Sequence, residues 1–399
     1  MPWIALVKLS AAAFVTVTAE LLPASVLLPM SDGLGVKPST AGMLVSAWAV
    51  TVAVVSLPLV RWTRRLPRRR ILAGTLGALS FATALTALAP TFEVALASRT
   101  LAAAAHGLFW SLLVATAAVL APPERLGRAV SIVLAGPAVA GAVGVPVGGA
   151  IGSTIGWRAA FAVLAALMIA AAFAMARLRL PDVPSEPPAS SGRAAGMAPV
   201  VAIAMAGALV LTGHFMLYTY VAPILQDIVG FDAGSRGVML TIFGAAGVAG
   251  IMLSGPLSDR WPRHALSGVA VAFAASAASL TLLDRGLAAA AATVVIWGVL
   301  IGLLPPVFQA RIVRTAPPAA QAAAGAAAIT VLNVGIALGA AIGGGVLNAY
   351  GAAALAPAAA VVISVAAAGL LASDAVAAIR GQDDRKGRLA PAKGSPARS

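Results

Sequence analysis

Runs of about twenty apolar residues recur along the whole chain, and this recurrence limits the fold more than any other feature. A run of that length crosses about 30 Å of hydrocarbon as a helix. The runs lie at residues 3–29, 41–61, 71–90, 93–118, 128–153, 158–176, 198–222, 237–257, 265–283, 287–309, 324–347 and 353–373. In lipid a backbone must satisfy its own hydrogen bonds, which leaves helices as the solution for segments this apolar. The chain is 60% hydrophobic and 10% charged, against about 25% charged in soluble domains. An all-α membrane protein of twelve transmembrane helices follows, and a soluble enzyme is excluded. With no cysteine and three histidines, disulfides, thiolate chemistry and cysteine-held metals are excluded too. No phosphate-binding loop or hydrolase elbow occurs. No metal or cofactor is expected.

The net charge of +14 raises the question of nucleic acid, and its distribution answers it. With the N-terminus in the cytoplasm, the inside loops and tail hold the arginines from Arg61 to Arg70, Arg125, Arg128, Arg177, Arg179, Arg193, Arg260, Arg263, Arg311, Arg314 and the basic tail from Arg380. The outside loops hold only Lys37, Arg158, Arg236 and Arg285. Lys8 and Arg99 lie within spans. This is the positive-inside pattern. It predicts a multi-pass protein of the inner (plasma) membrane with both termini cytoplasmic and no nucleic-acid partner. The run Arg64 to Arg70 also suits anionic lipid. The first segment is too long, and too polar at Glu20, for a cleaved signal peptide.

The chain repeats itself. At an offset of 195 residues Asp32 falls on Asp227, Gly35 on Gly230, Arg65-x-Pro67-Arg68 on Arg260-x-Pro262-Arg263, and Gly144, Gly148, Gly149 and Gly156 on Gly339, Gly343, Gly344 and Gly351. In the first span the offset is 194, which pairs Thr18 with Thr212, Glu20 with His214 and Pro29 with Pro223. Two parallel six-helix repeats follow, an arrangement that puts a transported solute near the midplane between halves. The expected organisation is a bundle at 1–176, a cytoplasmic linker rich in proline and serine at 177–197, a second bundle at 198–373 and a disordered cytoplasmic tail at 374–399.

Four motifs now bear on the family. They are Thr18-Ala-Glu-Leu-Leu-Pro23 with Leu28-Pro29; Gly255-Pro-Leu-Ser-Asp259-Arg260-Trp-Pro-Arg263 after span eight; Arg99 followed by His106-Gly107 in span four; and Gly136-Pro137 through Gly144-Val-Pro146-Val-Gly148-Gly149 to Gly156-Trp157-Arg158. Together they resemble the major facilitator superfamily, in particular its twelve-span drug:proton antiporter branch, with arabinose-efflux-permease-like and chloramphenicol-exporter-like members. The resemblance covers residues 5–372. It implies export of a small organic solute in exchange for protons by alternating access. It also implies a conformational role for Asp259, Arg260 and Arg263, and an antiporter signature at Gly136, Pro137, Gly144, Pro146, Gly148 and Gly149. In the first half the place of Asp259 is taken by Arg64, so the loop role carries over only to the second half.

The residues themselves point to Glu20. A charge at bilayer depth costs about 2.5–3.5 kcal/mol and usually faces a cavity or partner. Apart from Glu93, which only opens its run, Glu20 is the one acid in the twelve runs, about 14 Å from the outer end of its span by helical rise. Arg99 lies about 9 Å and His106 about 20 Å down span four. Seven residues apart, they share a face that Trp110 extends. Burial and a neighbouring cation act oppositely on a carboxylate, so one whose exposure changes can load and release a proton. The plainer alternatives are snorkelling for Glu20, a tether for Arg99 and simple packing for His106. Phe109, Trp110, His214, Tyr218 and Asn333 suit an apolar substrate cavity. Tyr218 and Tyr220 are also placed to be interface aromatics. The glycines of spans five and eleven suit either a bendable contact between halves or ordinary close packing. Two other readings stand beside export: proton-coupled uptake or facilitated passage of a sugar or metabolite, and a non-transporting sensor or scaffold. A monomer is expected, with a small-molecule substrate, protons and the lipid bilayer as its partners.

Overall fold

The computed structural model describes residues 3–63, 65–120, 126–178, 197–281, 286–317 and 321–389. These form helices α1 (Trp3–Ser25), α2 (Leu27–Leu34), α3 (Pro38–Thr63), α4 (Arg68–Ala87), α5 (Phe92–Val119), α6 (Leu126–Val139), α7 (Val145–Ile151), α8 (Trp157–Ala176), α9 (Ala198–Tyr218), α10 (Val221–Asp227), α11 (Ala233–Arg260), α12 (Ala265–Ser279), α13 (Leu287–Thr315), α14 (Gln321–Tyr350) and α15 (Leu355–Leu389). Among the described residues nine stretches are apolar and long enough to cross a membrane. One of them, Ser131–Ala176, holds two spans that part at Gly156, where φ is +120°. Counting it as two and adding Phe92–Val119 and the shorter Ala265–Ser279 gives twelve.

The sequence repeat is a structural one. Gly35 and Gly230, 195 apart, both take positive φ, as do Gly156 and Gly351, the left-handed region that glycine enters without a Cβ penalty. In the first half α3 packs on α5, α4 on α8 and α1 on α6 and α7. In the second half the equivalent helices pair in the same way, α11 on α13, α12 on α15 and α9 on α14. The halves meet along two edges, α3 with α14 and α11 with α7 and the π-turn Ala140–Gly144. The repeat exchanges one edge for the other.

Two helices break at one place. α1 ends at Ser25 and α9 at Tyr218, and the chain resumes at Val26 (φ −106°, ψ 19°) and Tyr220 (φ −112°, ψ 24°). At the offset of 194 these two residues are equivalent. The phenol of Tyr220 runs into a gap between Gly42 of α3 and Gly344 of α14, donating to Ala340 O at 2.7 Å and reaching Ser39 O at 3.4 Å. A methyl at Gly42 would sit 2.5 Å from Tyr220 Cζ. Val26 cannot span the matching gap, and a cavity of about 430 Å³ of atom-free space, open mouth included, lies there between Ser25, Gly149 and Gly237.

Further hydrogen bonds join the halves near this level, Ser46 Oγ to Ala337 O at 2.9 Å and Lys37 Nζ to Asn348 Oδ1 at 3.5 Å. At the opposite, arginine-rich end the ion pairs Arg314–Asp259 and Arg311–Asp374 stay within the second half. Asp232 caps α11 by accepting from Ser235 N at 2.8 Å; hydrogen bonds from the Ser235 side chain and main chain hold its carboxyl below the usual range.

The helices differ from expectation at the C-terminal end. α15 runs to Leu389, so residues 374–389, expected to be disordered, are helical. Half of the residues there are Ala, Arg, Lys or Gln, strong helix formers. Of the linker, residues 179–196 lie outside the described residues, as do 390–399.

Candidate functional site

The three ionisable residues singled out in the sequence come together. α5 reaches α1 and α3 closely because its inward positions are small: Ala102 and Ala103 are fully buried, and Gly107 faces Ser56 of α3. Arg99, 1% exposed, donates from Nη1 to Ala19 O at 2.7 Å and from Nη2 to Glu20 O at 3.3 Å. Its guanidinium lies 4.1 Å from the centre of the Trp48 ring, a cation–π contact. Arg99 thus holds the backbone of α1 and leaves the Glu20 carboxylate free of its fork. That carboxylate reaches His106 instead, Oε2 to Nε2 at 3.4 Å. His106 sits between two indoles, its ring centre 5.1 Å from that of Trp48 and 5.9 Å from that of Trp110. The apolar core of the first half is parted at this level. One cluster holds Leu22, Trp48 and Ala102, the other Leu9, Leu108 and Phe109.

The Glu20 side chain is 24% exposed, and what it faces is a cavity between the halves. Its walls include Glu20, Leu21 and Trp48 from the first half and Phe215, Tyr218 and Thr219 from the second. The space enclosed in this conformation is about 10 Å³, room for about one water molecule.

Behind the second-half wall lies a set of packed rings. His214 stacks on Tyr218 with centres 5.5 Å apart and planes 23° apart, as their spacing of four predicts. Phe243, Phe273 and Trp297 close around the imidazole. Trp297 Nε1 donates to His214 Nδ1 at 3.1 Å. An accepting Nδ1 puts the proton of the neutral ring on Nε2. Phe243 is the 195-offset partner of Trp48, so each half places an aromatic ring beside the polar residue of its first helix.

Other sequence candidates fall elsewhere. Phe109 is fully buried among Leu6, Leu9 and Leu112 and does not line the cavity: three residues from His106 is −60° around the helix, while the fourth, Trp110, stays on the inward face. Asn333 is half-buried and donates to Ile329 O of its own helix at 3.0 Å. Tyr220 is buried between helices, which overturns its placement as an interface aromatic.

The glycines of the antiporter signature mostly serve one half. Gly136, Gly144, Gly148 and Gly149 admit Ser10, Thr18, Leu22 and Ser25 of α1. It is Gly141 that meets the other half, where Gly244 lies against it. Pro137 and Pro146 flank the π-turn Ala140–Gly144, one of the features that lets a helix bend.

At the arginine-rich end Asp259 pairs with Arg314 at 3.1 Å, with the Asp259 side chain 81% exposed. Arg260 lies near the Trp261 ring, and Arg263 lends its carbonyl to Arg311 Nη1 at 2.8 Å. The sequence reading missed Asp374. It is buried in α15, bonded to Arg311 at 2.5 Å and to Ser267, with His264 at 3.5 Å. The signal was there: Asp374 lies within Leu370-Leu-Ala-Ser-Asp-Ala-Val376, one residue past the point where the last apolar run was ended.

Comparison with known proteins places this geometry in context. The sequence profile described as Major Facilitator Superfamily matches residues 9–339 and 203–398. Two chloramphenicol efflux pumps of Mycobacterium tuberculosis, from strains CDC 1551 / Oshkosh and ATCC 25618 / H37Rv, are each 34% identical over 348 residues, 84% of this chain and 84% of the relative. Among solved structures, a bacterial homologue of the human lysosomal transporter Spinster, in an inward-facing and unoccupied conformation, superposes with a TM-score of 0.79 at 17% identity. It covers 94% of this chain and 97% of that one. A nucleoside transporter matches with a TM-score of 0.75 at 14% identity over 92% and 98%.

Proposed function

The chain belongs to the Major Facilitator Superfamily, and from that premise we propose that it exports a small organic solute in exchange for protons. It is a multi-pass membrane transporter and not an enzyme. The export direction and a chloramphenicol-like cargo draw support from the two efflux pumps it resembles. Proton coupling draws support from one observation: the Glu20 carboxylate stands 3.4 Å from His106 on the wall of a cavity between the halves.

Arg99 fixes the α1 backbone through two carbonyls and keeps its charge near the carboxylate without bonding to it. Glu20 and His106 then form a pair between which one proton can move. When the cavity opens to the side of higher proton concentration, the pair loads. Binding of cargo between Glu20 and the second-half wall displaces that proton to the other side as the halves rock. The junctions at Tyr220, Ser46 and Lys37 join the halves at the end assigned to the outside, which supports access from the cytoplasmic side, the side that the excess of arginines favours for both termini. The two bundles, joined by the linker, move as the rocking units of a monomer in the inner membrane.

The test is Glu20→Gln in proteoliposomes with an imposed pH gradient. Gln keeps the shape and the hydrogen-bonding capacity and cannot titrate. The variant is expected to insert, to exchange chloramphenicol between equal pools, and to lose gradient-driven accumulation. Accumulation equal to the parent's would refute Glu20 as the coupling residue.

A further inference from the structure

We propose that Thr219 is a specificity-determining residue. Its hydroxyl hydrogen-bonds a neutral hydroxyl, amide or carbonyl group on an aromatic solute admitted between Trp48 and Phe215 as the halves part. The proposal rests on the transport reading above and adds to it the chemistry of the cargo.

Thr219 is fully buried, its Oγ1 has no hydrogen-bond partner among the described residues, and it lines the cavity that Glu20 faces. The rest of the helical threonines show how unusual this is. Thr18, Thr51, Thr100, Thr116 and Thr212 each donate to the carbonyl four residues back, the ordinary way a hydroxyl is satisfied within a helix. The repeat supplies a control. The equivalent of Thr219 at offset 194 is Ser25, at the same helix break, and Ser25 donates to Leu22 O at 3.0 Å. Thr219 does not.

An unsatisfied buried hydroxyl is costly, and valine has the same shape without that cost. Such groups in a native structure call for an explanation, and a hydroxyl in a cavity wall has one in a partner supplied from outside the protein. The surroundings define that partner. Trp48, Phe215 and Tyr218 offer ring faces and edges to a flat, apolar body. Arg99, the nearby cation, is turned to main-chain carbonyls, so nothing in the wall is set to neutralise an anion. A hydroxyl can give or accept one hydrogen bond from a neutral group. The cargo this wall fits is a small aromatic, not an anion, bearing a hydroxyl or amide.

The test uses the full-length chain in lipid nanodiscs with two probes. One is chloramphenicol, which carries hydroxyl and amide groups. The other is 4-nitrotoluene, which keeps a nitroaromatic ring without them. Thr219→Val is expected to weaken chloramphenicol binding about 3–10-fold, the effect of one lost neutral hydrogen bond. It should leave 4-nitrotoluene binding as in the parent, and thermal stability without ligand unchanged or raised. Thr219→Ser should bind as the parent does. If Thr219→Val binds chloramphenicol like the parent, the proposal is wrong and the transport reading stands. A drop in ligand-free stability with both probes equally weakened would mean that the hydroxyl serves the fold, and would also overturn it. If chloramphenicol does not bind the parent at all, the proposal falls together with the cargo reading beneath it.

Discussion

Glu20 and Asp374 are both acids set among helices, and their neighbours separate them. Glu20 has an imidazole on one side and open space on the other, an arrangement suited to exchange. Asp374 has Arg311, Ser267 and His264 around it, an arrangement suited to permanence. The contrast with Asp259 is one of magnitude. An exposed pair such as Asp259–Arg314 contributes about 0–1 kcal/mol, whereas removing one member of a buried pair costs about 3–5 kcal/mol. Asp374→Asn is therefore expected to lower the thermal unfolding midpoint in detergent clearly, and Asp259→Asn to leave it nearly unchanged. Equal midpoints for the two variants would contradict this ranking. The ionisable trio was legible in the sequence because charges stand out in apolar runs and a spacing of seven fixes a face. Thr219 was not, because a threonine in a helix satisfies itself by default and only the break after Tyr218 in three dimensions shows that this one does not.

At the scale of helices, the repeat was legible through glycines and prolines at a constant offset, and so were the spans. The partner of each glycine row was not. Glycine spacing says that something approaches closely, not which helix it is; here α1 takes most of the span-five row in its own half, and on that edge the contact between halves falls to Gly141 and Gly244. The same ambiguity gives a sharp test, because Gly42 and Gly237 are repeat equivalents with opposite surroundings. A methyl at Gly42 would meet the Tyr220 ring, while one at Gly237 would meet nothing within 4 Å. Gly42→Ala is expected to destabilise the protein by forcing that ring out of its gap. Gly237→Ala should be neutral or stabilising by up to about 1 kcal/mol, since alanine is the better helix former. Thermal unfolding of the two variants side by side checks both signs.

For the molecule as a whole, the asymmetry of cations predicts its orientation. Because the chain has no cysteine, single cysteines report without background. Lys37→Cys is expected to react with an impermeant maleimide added to intact cells, and Ser190→Cys, in the linker outside the described residues, only after the membrane is opened. Labelling of Ser190→Cys in intact cells would reverse the orientation and, with it, the direction of opening. Nothing in the sequence alone distinguishes which end is shut, since that depends on how two rigid bodies lean on each other rather than on any local pattern.

The Tyr220 contact bears on how the shut end gives way. The phenol is bonded to Ala340 and lodged against Gly344 of its own half, and projects past them to Gly42 and Ser39 of the other. It works as a tenon carried by one half and received by a mortise in its neighbour. Along the opposite edge, where Val26 stands in for it, a void lies beside Gly237 at this level, although Gly244 closes on Gly141 further along. If the halves rock, the α7–α11 side, which has no such peg at this level, is expected to part there first. A solute leaving on that side would pass Arg236, which lines the void, before it met water.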